Sequence, residues 1–383
     1  DRLRRNWRFW ESLPDTPDRY VNVRDVDEGI GVLSSLLLKK DHYRSMVGGD
    51  GACMGCGEKT AVHLVTSTVE ALVRPRVARL LDEVRDLAAG LERREREIVG
   101  GSADLGEAAA GDEALAVSLG EAERDRLRLL EATRKELERL TWLYQEGPSG
   151  RGRVSLAITN STGCSSVWGS TYPYNPYPFP WVNHLFQDAP SIAIGVFEGH
   201  MRKMGDHFLS VRKARALLDG SYDAGEFDAF AEAFDWRAFT DDEMRLCPPI
   251  LCIGGDGAML DIGFQNLSRL MASGKPIKVM VLDTQVYSNT GGQACTSGFT
   301  GQVADMSAWG SAQHGKSEVR KELAFIAMAH RGVFVHQSSQ ASASHLIQGV
   351  IKGLNTRRPA IFNIYTPCPV EHGLADDWSP QAA

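Results

Sequence analysis

The sequence has 383 residues, a formal net charge of −7 and 43% hydrophobic residues, which is enough chain for two domains, or for one large domain with an insertion. The acidic balance argues against nucleic acid as the main partner, and apolar runs such as GVLSSLLL and PPILCIGG are far shorter than a membrane span. Seven cysteines are too sparse for a disulfide scaffold and neither end reads as a secretory signal, so reduced thiols and a cytoplasmic setting are expected.

Residues 1–50, with RNWRFWESLPDTPDRY, read as a connecting arm from a missing upstream domain. Residues 51–72 and 151–383 read as one α/β domain, a doubly wound parallel sheet. Its short buried strands are VSLAITN, SIAIGVF, PPILCIGG, KVMVLD, GVFVHQSS and AIFNIYT, with helical stretches near 200–217, 318–330 and 342–353. Between the two parts, residues 73–150 break the pattern. VARLLDEVRDLAAGLERREREIV and ERDRLRLLEATRKELERLTWLYQ are charge-laced helical runs joined by the small-residue linker GGSADLGEAAAGDEA, which predicts an inserted antiparallel helical hairpin.

Four of the cysteines sit in Gly- or Pro-punctuated turns: Cys53 and Cys56 in GACMGCGEK, Cys164 in NSTGCSSVWG and Cys368 in YTPCPVEHG. A thiolate in such a turn can face a shared metal centre without unravelling a helix or strand. One CxxC pair closed by two distant single cysteines fits a 4Fe-4S cluster. A structural zinc is the alternative, but zinc sites usually bring two short paired motifs. Cys247, Cys252 and Cys295 lie outside these motifs; Cys252 reads as strand core and Cys295 falls in a polar loop. His372, four residues after Cys368, is surplus to four thiolates. Glu58 either shapes the surroundings of the cluster or contacts a cofactor, with a plain helix-start role as the alternative. His63 reads as an ordinary packed side chain.

A second constellation begins where PPILCIGG ends in Gly255-Asp256-Gly257, followed by Leu260, Phe264, Leu267 and Met271 at helical spacing. Glycines flanking Asp256 let backbone approach a ligand closely, and the new helix aims free N–H groups at an anion. Asp256 would repel a naked phosphate, so a hard cation such as Mg²⁺ is required between them. The next strand ends at Thr284. If both strands are parallel neighbours, Asp256, the Thr284 hydroxyl and the Val286 carbonyl converge on one octahedral ion carrying diphosphate oxygens. The loop YSNTGGQACTSGFTG can drape over a cofactor, or it is a plain surface loop. A dinucleotide fingerprint fails because Leu260 occupies the third glycine position, and no Walker A motif is present.

GGDGAMLDIGFQNL followed by VLDTQVYSNTGGQ resembles the diphosphate-binding motif of thiamine diphosphate enzymes, in the form used by pyruvate:ferredoxin (flavodoxin) oxidoreductases. GACMGCGEK, NSTGCSSVWG and YTPCP resemble the segments that hold the proximal cluster in that family. Asp283-Thr284 stands where the wider thiamine enzymes carry an asparagine pair, a departure that points the same way. The resemblance implies thiamine diphosphate, Mg²⁺ on Asp256, Thr284 and Val286, and a 4Fe-4S cluster on Cys53, Cys56, Cys164 and Cys368. It implies Asn289 facing the reacting carbon of the cofactor; a turn-capping role is the alternative for that residue. The implied reaction is oxidation of pyruvate with coenzyme A to acetyl-CoA and CO₂, electrons leaving through the cluster to ferredoxin or flavodoxin. Upstream domains or subunits, and a homo-oligomer when complete, are expected partners. A non-oxidative thiamine-dependent decarboxylase with structural cysteines, and a non-catalytic assembly module, are the competing readings.

Overall fold

The computed structural model describes the chain except residues 1, 22, 24–31, 41, 44–51, 102–119, 170–176 and 178. Parts of the 1–50 arm and most of the linker between the two charged helical runs therefore lie outside the described residues. Two compact units are formed, one of Asp1–Pro75, Val154–Phe197 and Pro248–Ala383, the other of Arg76–Arg153 and Glu198–Cys247.

Among the described residues, the first unit carries all the strands: β1 Ala157–Ser161, β2 Trp181–His184, β3 Ile250–Gly255, β4 Lys278–Asp283, β5 Val286–Tyr287, β6 Gln293–Ala294, β7 Phe334–Ser339 and β8 Ala360–Tyr365. Six of them form a parallel sheet in the order β2-β1-β3-β4-β8-β7, and β5 and β6 form a short antiparallel ribbon. The central strands are continuous apolar runs because both faces are covered: all six residues of β4 are buried, as are the first five of β3. Leu267, Leu270 and Met271 of the helix Phe264–Ala272 are buried, as are Leu346, Ile347 and Val350 of the helix Ala343–Leu354. Each such side chain contributes about 1.5–3 kcal/mol by leaving water. This is the doubly wound α/β architecture that the strand and helix pattern predicts.

One predicted strand is corrected. SIAIGVF lies inside the helix Ala189–Asp219, and the strand beside β1 is β2. A seven-residue apolar run does not by itself separate a strand from a buried helix. The decisive signal is its continuation at helical spacing, through the buried Phe197, Met201, Met204, Phe208 and Val211.

The strand order places the site. From β1 the chain moves outward to β2, then returns to the opposite side of β1 to build β3 and β4. The carboxyl ends of β1 and β3 therefore flank the point where the winding reverses, the crevice in which open α/β sheets bind ligands.

The second unit is helical. It takes in Glu198–Cys247 as well as most of the 73–150 stretch. Leu80, Leu81, Val84 and Leu91 from the helix Gly57–Gly101 pack with Leu130, Leu137, Leu140 and Tyr144 from the helix Glu121–Gln145, and with Val211, Ala214 and Leu217. Arg134 Nε reaches Glu95 at 3.0 Å across the first two helices. Among the described residues, no helix is long and apolar enough to cross a membrane.

Candidate cofactor and thiol site

Register fixes which side chains leave the sheet together. Gly255 of β3 pairs with Leu282 of β4, and Asp283 pairs with Tyr365 of β8. Asp256, Thr284 and Thr366 consequently emerge along one edge, and the Thr366 N–H donates to the Asp283 carbonyl at 2.9 Å.

The three groups predicted to share a cation are brought together. The Thr284 hydroxyl lies 3.5 Å from Asp256 Oδ1 and donates to the Val286 carbonyl at 2.9 Å. Ser288 Oγ donates to Thr284 Oγ1 at 2.7 Å. Between Thr284 and Val286, Gln285 takes the left-handed conformation with φ 63°, which costs a non-glycine residue roughly 1–2 kcal/mol. That turn puts the Thr284 hydroxyl and Val286 carbonyl on one side. Burial, and next the charge of Asp283, push the Asp256 carboxyl well above the usual range, with hydrogen bonds from Ser297 and Cys295 opposing. Asp283 is itself held by Arg320 at 2.9 Å. Two buried carboxyls against one guanidinium leave a site that favours a further cation.

Gly255, Asp256, Gly257, Thr284, Val286, Tyr287 and Asn289 line a cavity of about 140 Å³. A Cβ on Gly257 would come within 2.5 Å of Tyr287 Cδ1, whereas on Gly255 it meets nothing nearer than the Leu282 carbonyl at 3.9 Å. Protein packing thus demands the second glycine, and the space over the first belongs to the cavity. Tyr287 is pinned by its hydroxyl to Asp261 Oδ2 at 2.7 Å. The segment after Asp256 is a π-helical turn, Gly257–Ile262, before the α-helix begins at Phe264; such turns occur often at functional sites.

Cys53, Cys56, Cys164 and Cys368 line a second cavity, of about 190 Å³. Backbone packing assembles it. Gly55 has φ 71°, and a Cβ there would lie 2.7 Å from the Asp376 carbonyl carbon; at Gly57 it would lie 2.6 Å from the Pro367 carbonyl oxygen. Ser379 Oγ donates to the Gly55 carbonyl at 2.5 Å. The CxxC turn is thereby pressed against the Cys368 segment, while Cys164 opens a helix directly after β1. All four cysteines are free. Burial and then Glu58 push the Cys56 thiol up to about 12, with Cys53 and Cys368 adding to the rise; burial and Glu58 also raise Cys164 and Cys368. The thiols stand around the cavity; among the described residues no three His, Cys, Asp or Glu side chains close on a single ion.

The two cavities share a wall of Glu58, Cys164, Thr284, Ser288 and Asn289. Glu58 is buried, its Oε2 finds no hydrogen-bond partner among the described residues, and burial lifts its carboxyl to about 7 with the Trp168 indole opposing. Asn289 sits exposed in the turn Ser288–Thr290, at the edge of both cavities. Of the other singled-out residues, His63, Cys247 and Cys252 are buried and line neither cavity. Cys295 bonds to Asp256. Sequence reasoning missed Ser288, Gln285, Ser297 and the position of His372, whose Nε2 lies 3.0 Å from the Thr284 carbonyl. Only the polar loop composition hinted at the serines, and nothing local marked Gln285.

Residues 242–364 match the thiamine pyrophosphate enzyme, C-terminal TPP binding domain. Pyruvate:ferredoxin oxidoreductase of Moorella thermoacetica is 30% identical over 273 residues, 60% of this chain and 22% of that protein. A protein described as a probable pyruvate-flavodoxin oxidoreductase of Escherichia coli is 28% identical over 296 residues, 67% of this chain and 24% of that protein. The chain thus spans less than a quarter of the length of these relatives. A solved 2-oxoglutarate:ferredoxin oxidoreductase from Magnetococcus marinus is a looser likeness, with a TM-score of 0.39 and 15% identity over 64% of this chain and 62% of that one. By its sequence relationships the chain is similar to pyruvate:ferredoxin and pyruvate-flavodoxin oxidoreductases, with the match to the TPP binding domain at residues 242–364.

Proposed function

We propose that this chain is the part of a 2-oxoacid oxidoreductase that holds thiamine diphosphate through Mg²⁺ and a 4Fe-4S cluster beside it. The whole enzyme would convert pyruvate and coenzyme A to acetyl-CoA, CO₂, a proton and two electrons, the electrons leaving to ferredoxin or flavodoxin, and the reduced thiols suit the cytoplasm. The carrying observation is the shared wall: Glu58, Cys164, Thr284, Ser288 and Asn289 border both cavities, so a cofactor in one lies next to a metal group in the other. Bound together, the two groups would supply decarboxylation and one-electron transfer.

The residues present fit these groups. Asp256, Thr284 Oγ1 and the Val286 carbonyl offer three oxygens to a hard cation, whose charge relieves the buried carboxyls. Gly255 would keep a side chain away from the diphosphate. Four thiols around a cavity, rather than closed on a point, give each sulfur its own metal atom, which favours a cluster over a lone zinc with four sulfurs at about 2.3 Å. The unpartnered Oε2 of Glu58, on a carboxyl that burial lifts to about 7, would hydrogen-bond the cofactor, and the Asn289 amide, at the edge of both cavities, would orient a substrate carbonyl. Iron and acid-labile sulfide analysis after anaerobic purification, with calorimetric titration of thiamine diphosphate and Mg²⁺, tests the reading. Stoichiometric zinc without iron would point to a non-oxidative enzyme with structural cysteines, and failure to bind thiamine diphosphate would leave an assembly module.

A further inference from the structure

His372 is bonded to a predicted ligand of each cavity, and we infer that it is a positioning residue through which occupancy of one cavity is felt in the other; the inference rests on the proposed function. Its backbone N–H donates to the Cys368 carbonyl at 2.9 Å, closing the turn, and the Cys368 N–H lies 3.3 Å from His372 Nδ1. A backbone N–H can only donate, so Nδ1 accepts and the ring proton resides on Nε2. That Nε2–H donates to the Thr284 carbonyl at 3.0 Å. One neutral imidazole therefore ties the backbone of a thiol ligand to the backbone of a cation ligand.

Neighbouring packing joins the same two segments. Glu371, which lines the thiol cavity, packs so closely on Gly292 that a Cβ there would stand 3.0 Å from its Cδ. Gly292 belongs to the loop that carries Thr284, Ser288 and Asn289. A shift of Thr284 on taking up a cation moves the imidazole, and with it the Cys368 turn. Coupling of this kind is reciprocal, so a metal group on Cys368 biases the Thr284 loop by the same factor. One neutral hydrogen bond carries about a two- to tenfold effect.

Two substitutions split the strut. His372→Asn keeps an acceptor near the Nδ1 position for Cys368 but cannot reach Thr284; His372→Gln keeps a donor near the Nε2 position for Thr284 but offers Cys368 nothing. The anaerobically purified protein and both variants would be titrated with Mg²⁺ and thiamine diphosphate. Affinity would be read by calorimetry, and the reduced cluster by electron paramagnetic resonance before and after saturation. The wild-type spectrum should change on saturation and neither variant's should. Both variants should change the affinity for thiamine diphosphate by about two- to tenfold, His372→Asn by losing the bond to Thr284 and His372→Gln by losing the link to Cys368. A wild-type-sized spectral change in either variant, or none in a wild type that holds both groups, would overturn the coupling. A variant that retains no iron would also overturn it, since the imidazole would then serve only to shape the cysteine turn. A wild type that holds no cluster or no thiamine diphosphate would remove the proposed function itself.

Discussion

The two glycines beside Asp256 make different demands, and alanine substitution separates them. At Gly257 the new methyl carbon would stand 2.5 Å from Tyr287 Cδ1 and 3.0 Å from Cζ, against about 3.5–4.0 Å for carbons in contact. The ring must retreat by about 1 Å or more, straining its hydroxyl bond to Asp261 and moving the adjoining Val286 and Ser288. Overpacking of this size costs about 1–3 kcal/mol of stability. At Gly255 the nearest atom is 3.9 Å away, so the methyl clashes with nothing, and replacing a strand glycine by alanine gains up to about 0.5–1 kcal/mol. Its methyl instead occupies the cavity, where the same 1–3 kcal/mol of overpacking now falls on the ligand, weakening thiamine diphosphate about 5- to 150-fold. Thermal melting of the cofactor-free proteins and calorimetric titration with Mg²⁺ and thiamine diphosphate give both quantities. Gly257→Ala should lose stability and affinity together, and Gly255→Ala affinity alone. A Gly255→Ala protein that binds with wild-type affinity would refute the assignment of this space to the diphosphate.

Alanine at Cys53, Cys56, Cys164 or Cys368 should abolish or degrade the visible absorbance of the cluster, whereas Cys247→Ala should leave it intact, as iron content per chain will show. Asp256→Asn should raise the melting temperature of the cation-free protein near neutral pH. Its carboxyl is raised in the fold, so stability present below the ordinary value of 3.8 is lost as pH climbs toward the folded value, and the amide removes that loss. The same variant should no longer gain stability from Mg²⁺ with thiamine diphosphate. Lys278, buried under the Thr356 and Arg358 carbonyls, is pushed down to about 7 by burial. Between that pH and its ordinary 10.5 the unfolded chain binds a proton the fold does not, so wild-type stability should rise with pH across this window. Lys278→Met should flatten the rise in a pH series of melts.

Much of this was legible because the signals were local. The β3 run ending in Gly255-Asp256-Gly257 and the β4 run ending in Asp283-Thr284 each declare a buried strand by continuous apolar residues, and parallel pairing then forces Asp256 and Thr284 to one edge. The four cysteines announced themselves by their turns. What stayed hidden depends on packing between distant segments. SIAIGVF is helical because the segments after it extend its apolar stripe, which a seven-residue window does not contain. The π-helical turn at Gly257–Ile262 replaces an ordinary helix start where Tyr287 lies over Gly257. His372 looked surplus while only its distance from Cys368 along the chain was known; its partner Thr284 lies 88 positions away. Gln285 takes φ 63° in the turn across which the Thr284 hydroxyl donates to the Val286 carbonyl, a contact that no local sequence signal marks.

On the proposed function, one protein holds thiamine diphosphate and a 4Fe-4S cluster in adjoining cavities. Native mass spectrometry of anaerobically purified protein, incubated with Mg²⁺ and thiamine diphosphate, reads both at once. The expected species is heavier than the bare chain by one cluster plus one magnesium-bound cofactor, with the cluster increment lost in Cys164→Ala and the cofactor increment lost in Asp256→Asn. A protein that carries zinc in place of iron, or that never gains the mass of the cofactor, would contradict it.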